Sequence, residues 1–130
     1  MTARILITDD QPVVREVLAA ILARQGYEVL SAGHRAATLE ALERGPFDLV
    51  LLDVHLPGAD GWTILAEVRE RWPGLPVVMI SDGWRRAAAL EHGADGFIEK
   101  PYGTENVLAA VAEVLESSDP GSETTEADAA

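Results

Sequence analysis

Five short apolar runs punctuate the chain, and a longer stretch of helical periodicity follows each. The runs at about 4–8, 27–31, 48–53, 76–80 and 95–98 predict strands. Val77-Val78-Met79-Ile80 is apolar without alternation, as in a strand buried on both faces. The first helix is the clearest. Pro12 suits its first turn and Gly26 its stop, with Val14, Val17, Leu18, Ile21 and Leu22 on one stripe. A second helix is predicted at about 34–44, ending at Gly45-Pro46. A third follows Asp60 as N-cap, buries Ile64, Leu65 and Val68, and stops before Pro73-Gly74. A fourth, short, spans about 84–92 and closes at Gly93. The last starts after Thr104, shows Val107, Leu108, Val111, Val114 and Leu115, and ends near Glu116.

Strand and helix thus alternate five times. Such alternation gives an α/β fold: a parallel sheet with right-handed crossovers and helices on both faces. Five strands at this length fit the doubly wound order 2-1-3-4-5, whose crevice opens between strands 1 and 3. The domain is predicted to fill residues 1–116. Residues 117–130 change character: Ala is the only apolar type, and four acids stand without a base. That composition buries too little surface to order itself, so it reads as an acidic disordered tail or a linker stub.

With 130 residues and 48% apolar content, the chain can build one domain around one core. Without Cys it has neither a disulfide framework nor a thiolate metal site. No apolar stretch approaches a membrane span, and no signal-peptide pattern opens the chain, so a soluble cytoplasmic protein is expected. A net charge of −12 argues against direct nucleic-acid binding. The bases are nine Arg and a single Lys, Lys100. Arg offers a planar fork and Lys a compact point charge, so the exception stands out.

The polar residues that close the apolar runs carry the chemistry. Asp9-Asp10 follow Ile5-Leu6-Ile7, Asp53 follows Leu49-Val50-Leu51-Leu52, and Lys100-Pro101 follow Gly96-Phe97-Ile98-Glu99. Strand ends in a parallel sheet share one edge, where ligands bind. Three carboxylates and one ammonium therefore converge on one pocket. At ~5 Å and an effective dielectric near 20, each carboxylate pair costs roughly 3 kcal/mol. A divalent cation offsets that cost, and oxygen ligands without His or Cys favour Mg²⁺ or Mn²⁺. A carboxylate is also a nucleophile for phosphoryl transfer. Lys100 would hold one phosphoryl oxygen, and Ser81, ending strand 4 on the same edge, would donate to another. Singly, Asp9 or Asp10 reads better as a helix N-cap and Asp53 as a loop-start residue. The joint placement favours the pocket.

These residues resemble the receiver (response-regulator) domain of two-component signalling. The match runs over about 3–116, through Ile5-Leu6-Ile7-Thr8-Asp9-Asp10, Asp53-Val54-His55-Leu56-Pro57-Gly58-Ala59-Asp60-Gly61, Met79-Ile80-Ser81, Gly93-Ala94-Asp95 and Phe97-Ile98-Glu99-Lys100-Pro101. The resemblance implies a flavodoxin-like sheet and a phosphoacceptor signalling domain, not an enzyme with turnover. It makes Asp53 the phosphoacceptor, and Asp9, Asp10, Asp53 and the His55 backbone carbonyl the ligands of Mg²⁺. It makes Ser81 the hydroxyl that turns toward the phosphoryl group, Phe97 the aromatic that swings inward with it, and Lys100 the partner of phosphoryl oxygens. The implied donor is a histidine kinase or phosphotransfer protein. The implied output is a changed face around helix 4, strand 5 and helix 5, read by a downstream protein, from a monomer or weak homodimer.

Two departures from the family pattern stand out. The stretch from Ser81 to Lys100 is shorter by roughly one helical turn, with Asp82-Gly83-Trp84 after the hydroxyl. His55 lies two past Asp53, where its side chain can tune hydrolysis. Other readings fit less well. A haloacid-dehalogenase-type phosphatase needs a second acid two residues past its nucleophile, whereas Val54-His55 follow Asp53 and Asp10-Gln11 follow Asp9. An FMN site would be repelled by Asp9-Asp10, and a degenerate receiver would lack part of the Asp/Asp/Asp/Lys set. Trp84 is expected to cover core left open by the short helix, and Trp62 and Trp72 to pack. Arg85-Arg86 is read as a solvated face, and His34 and His92 lack a second ligand at metal spacing.

Overall fold

All five predicted strands form, in one parallel sheet ordered β2-β1-β3-β4-β5. They are β1 (Arg4–Thr8), β2 (Glu28–Ala32), β3 (Leu49–Asp53), β4 (Val77–Asp82) and β5 (Gly96–Lys100). The helices are α1 (Pro12–Arg24), α2 (Arg35–Arg44), α3 (Gly61–Arg71), α4 (Arg86–Glu91) and α5 (Thr104–Ser118). This computed structural model describes residues 2–56, 60–82 and 85–118. Pro57-Gly58-Ala59, Gly83-Trp84 and the stretch from 119 onward lie outside the described residues, and with them the packing expected of Trp84 and most of the expected tail.

Strand alternation sorts the core into two layers. Leu6, Val50, Leu52, Val77, Met79 and Phe97 face one way, against Leu42, Ile64, Leu65, Val68 and Ala89 of α2, α3 and α4. Ile5, Ile7, Leu49, Leu51, Val78, Ile80 and Ile98 face the other, against Leu18 and Leu22 of α1 and Val107, Val111 and Val114 of α5. The sheet is therefore covered on both sides, which is why its central strands β3 and β4 read as unbroken apolar runs, while the edge strand β2 stays largely exposed. Trp62 and Trp72 are half-buried against the first layer, as expected of packing residues.

Several boundaries differ from the sequence reading. Strand β4 continues to Asp82, paired with Lys100, so Ser81 sits one residue inside the strand and Lys100 belongs to β5. Polar termini stay in the ladder because pairing satisfies backbone groups whatever the side chain. Helix α5 begins at Thr104 itself, with the Gly103 N–H donating to Asn106 Oδ1 at 3.0 Å. It runs two residues past Glu116, where the Ser117 hydroxyl donates to the Glu113 carbonyl at 3.0 Å. Val17 is 50% exposed, so it does not share the buried stripe. It stands about 100° around the helix from Leu18, past the edge of the α1 contact. Among the described residues no helix is long and apolar enough to cross a membrane.

Helix α3 sets the backbone around Asp53. Its N-cap, Asp60, accepts from the Thr63 N–H and hydroxyl, both at 2.9 Å. Gly61 follows, and its N–H donates to the Val54 carbonyl at 2.7 Å. A Cβ on Gly61 would fall 2.5 Å from the Asp53 carbonyl oxygen and 2.7 Å from Val54 Cα. Only glycine allows so close an approach of helix to strand end. Gly61→Ala is expected to cost about 1–3 kcal/mol in urea unfolding. Gly74→Ala, with open space around its Cβ position, should change stability by less than about 0.5 kcal/mol. Equal stability of the two variants would contradict the contact.

Candidate functional site

The C-terminal edge of the sheet gathers the acidic residues. Asp9 and Asp10 leave β1, Asp53 ends β3, and one carboxylate oxygen from each lies within 4.8 Å of the others. Asp9 and Asp53 are only 2% and 3% exposed, while Asp10 lies partly open to solvent. Lys100 reaches across from β5, its Nζ 3.1 Å from Asp53 Oδ2. By alternation, Asp53 and Lys100 share the parity of Leu51 and Ile98 and so the face toward α1 and α5. The four groups that the strand ends were predicted to bring together do meet.

Backbone donors fix the carboxylates. The His55 N–H donates to Asp53 Oδ1 at 2.9 Å, so each Asp53 oxygen has one donor, amide on one side and ammonium on the other. The Gln11 N–H donates to Asp9 Oδ1 at 2.9 Å. Asp9 therefore turns back on its own loop, and the N-cap of α1 is Gln11, not Asp9 or Asp10. His55 contributes its amide here, while its side chain is exposed.

The electrostatics record the crowding. Asp9 has its pKa pushed up from 3.8 to about 6. Burial is the largest cause; the neighbouring Asp53 carboxylate adds to it, and the Gln11 N–H and Lys100 oppose it. Three carboxylates against one ammonium leave a charge of −2 when all are ionised. A divalent cation cancels that charge, and the donors are all hard oxygens, which suits Mg²⁺. The residues present thus fit such an ion on charge, donor type and spacing.

Ser81 and Phe97 start on the other face, with the parity of Met79. Ser81 is fully buried, and its hydroxyl has no hydrogen-bond partner among the described residues. An unpartnered buried hydroxyl costs about 1–3 kcal/mol. Phe97 is already buried, with the Arg86 guanidinium 5.0 Å from its ring centre. Arg86 is exposed, as its reading as a solvated face expects, and its guanidinium also stands over an aromatic ring.

One neighbour escaped the sequence reading. Tyr102, two residues past Lys100, is half-buried against the α1/α5 layer. Its phenol pKa is raised by burial, then by the Asp9 and Asp53 carboxylates. It therefore stands beside the cluster as a neutral donor. Only its position after the strand-end Lys-Pro could have marked it.

Comparison with known proteins agrees with this geometry. The family model for the response regulator receiver domain matches residues 5–112. Transcriptional regulatory protein AruR of Pseudomonas aeruginosa is 39% identical over 117 residues, covering 84% of this chain and 48% of AruR. Transcriptional regulatory protein BaeR of Escherichia coli is 37% identical, covering 98% of this chain and 54% of BaeR. The chain thus spans about half the length of these curated relatives. The crystal structure of the receiver domain of NtrX from Brucella abortus superposes with a TM-score of 0.82 at 35% identity, over 86% of this chain and 98% of that one. A CheY-like receiver domain protein from Methanospirillum hungatei gives 0.84 at 30% identity, over 91% and 97%. Strand order, acidic edge and these matches together place the chain in the response regulator receiver domain family.

Proposed function

We propose that this chain is a phosphorylation-controlled signalling module in which Asp53 accepts a phosphoryl group from a histidine kinase or phosphotransfer protein. The observation that supports this most is the Asp53 carboxylate itself. It is buried at a strand end, beside two further acids and in contact with the only lysine of the chain. An Asp53 oxygen attacks phosphorus, the phosphorus–nitrogen bond to the donor imidazole breaks, and the imidazole leaves with its electron pair and takes up a proton. Lys100 moves from pairing Asp53 alone to holding the oxygens of the new group. Asp9, Asp10, Asp53 and the His55 carbonyl would hold Mg²⁺ (Mn²⁺ also fits), which supplies neutralisation of the incoming charge. Ser81, whose hydroxyl lacks a partner among the described residues, donates to a phosphoryl oxygen, and Phe97 responds to its rotation. That differential binding shifts the domain between two states and changes the face around α4, β5 and α5.

On this reading the unit is residues 1–116, and the acidic stretch from 117 on, whose first two residues extend α5, is a tail or linker. The module works in the cytoplasm as a monomer or weak homodimer and turns over no external substrate. With a net charge of −12, these residues act through a protein partner and not by touching nucleic acid. AruR and BaeR are transcriptional regulatory proteins, which makes transcriptional control the first process to examine for the whole protein. The six-residue α4 makes the output face small.

Three outcomes are expected. Incubated with Mg²⁺ and acetyl phosphate, the protein should gain the mass of one base-labile phosphoryl group, and Asp53→Asn should not. Steady hydrolysis of external phosphate esters would instead favour a phosphatase. Because a metal ligand must be deprotonated and Asp9 titrates at about 6, Mg²⁺ affinity should rise about tenfold from pH 5 to pH 7, then level off. A flat profile by calorimetric titration would contradict a role for Asp9. Finally, His55→Ala should alter the decay rate of the acyl phosphate after the donor is removed, since an exposed side chain two residues past Asp53 can act on the water that attacks the acyl phosphate. Identical decay curves would remove His55 from the account.

A further inference from the structure

We propose that Arg15 is a positioning residue for the acidic site: its guanidinium clamps the backbone of Asp9 and thereby aims the Asp9 carboxylate at Asp10 and Asp53. The inference rests on the reading of that cluster as a Mg²⁺ site, and it concerns how the site is held rather than what binds there.

Arg15 lies one turn into α1, and its N–H donates to the Gln11 carbonyl at 3.1 Å. Its Nη1 donates to the Asp9 backbone carbonyl at 2.7 Å. The Asp9 N–H donates to the Ala32 carbonyl at 3.2 Å, and Asp9 Oδ1 accepts from Gln11. Three bonds therefore fix Asp9, one each at amide, carbonyl and carboxylate. They leave Oδ2 for the cluster.

The choice of partner is informative. Arg4, Arg35, Arg44, Arg69 and Arg71 each pair with a carboxylate. Arg15, the arginine beside the acidic edge, has no carboxylate partner among the described residues and gives its donor to a carbonyl. A guanidinium bound to the Asp9 carboxylate would occupy the oxygens a cation needs. Bound to the carbonyl, it orients the ligand without competing for it, as outer-shell partners do in metal sites.

The neighbouring loop is shaped to receive this group. A Cβ on Gly33 would fall 2.9 Å from Arg15 Nη1, 3.5 Å from Cζ and 3.7 Å from Nη2. The guanidinium thus lies in the space a side chain at 33 would take, between the loop after β1 and the loop after β2. The guanidinium ends a flexible side chain, so a methyl group at 33 displaces it, and breaks its bond to the Asp9 carbonyl, before it displaces backbone.

A double-mutant cycle tests the clamp. Mg²⁺ affinity is measured by calorimetric titration, and melting temperature in EDTA is measured alongside. Arg15→Ala is expected to weaken Mg²⁺ binding about tenfold or more. Gly33→Ala is expected to weaken it in the same direction, and the double variant should bind no more weakly than Arg15→Ala alone. Arg15→Lys, which can still donate one bond, should recover part of the loss. Three results would overturn the clamp: unchanged affinity in Arg15→Ala, additive losses in the cycle, or affinity losses that merely follow the melting temperature in EDTA. Absence of Mg²⁺ binding in the unsubstituted protein would sink the metal reading itself and is distinguished by that control.

Discussion

The structure turns on a repulsion that the fold cannot relieve by itself. Strands β1 and β3 are neighbours in the sheet and deliver three carboxylates to one edge, two of them buried. Like charges at this spacing oppose one another by several kcal/mol in a partly desolvated site. Lys100 cancels one charge and leaves two. The pKa of Asp9 is raised to about 6, first by burial and then by the neighbouring Asp53 carboxylate. A site crowded in this way suits a divalent cation and, on the proposed function, a phosphoryl group beside it.

Everything else holds the tension in place. The two apolar layers lock the strands in register, so the ends of β1, β3 and β5 cannot drift apart. Gly61 lets α3 press on the Asp53–Val54 backbone, and the His55 amide fixes one Asp53 oxygen. Salt links between α2 and α3, Arg35 with Glu67 and Arg71 with Glu43, brace the exposed side. Such surface pairs are worth little singly, and the buried layers carry the stability. Ser81, buried and without a partner among the described residues one residue inside β4, has something to gain from a new acceptor. On the proposed function, that gain separates the modified state from the resting one.

Much of this was legible in the sequence. Short apolar runs and period-3.6 stripes located all ten elements, because the central strands β1, β3 and β4 are buried between helix layers and the helices turn an apolar stripe to the sheet. Strand-end polar residues located the site because parallel strands share one functional edge. What stayed hidden depended on tertiary approach. Nothing in the pattern shows that Gly61 meets backbone, that Tyr102 turns toward the carboxylates, or that Arg15 reaches over Gly33 to a carbonyl. Strand ends shifted for a related reason: ladder pairing carried Asp82 and Lys100 into the sheet although both are charged.

Thermal melting of the protein and of Asp9→Asn at pH 7, each with EDTA and with millimolar Mg²⁺, tests the central claim most directly. The Asp9 pKa is higher in the folded state, so the metal-free protein loses stability as pH rises through about 6, and at pH 7 that loss is complete. Asp9→Asn is expected to melt higher than the unsubstituted protein in EDTA, and Mg²⁺ to raise the melting temperature of the unsubstituted protein far more than that of the variant. A variant that melts lower in EDTA, with both proteins responding alike to Mg²⁺, would contradict the central claim.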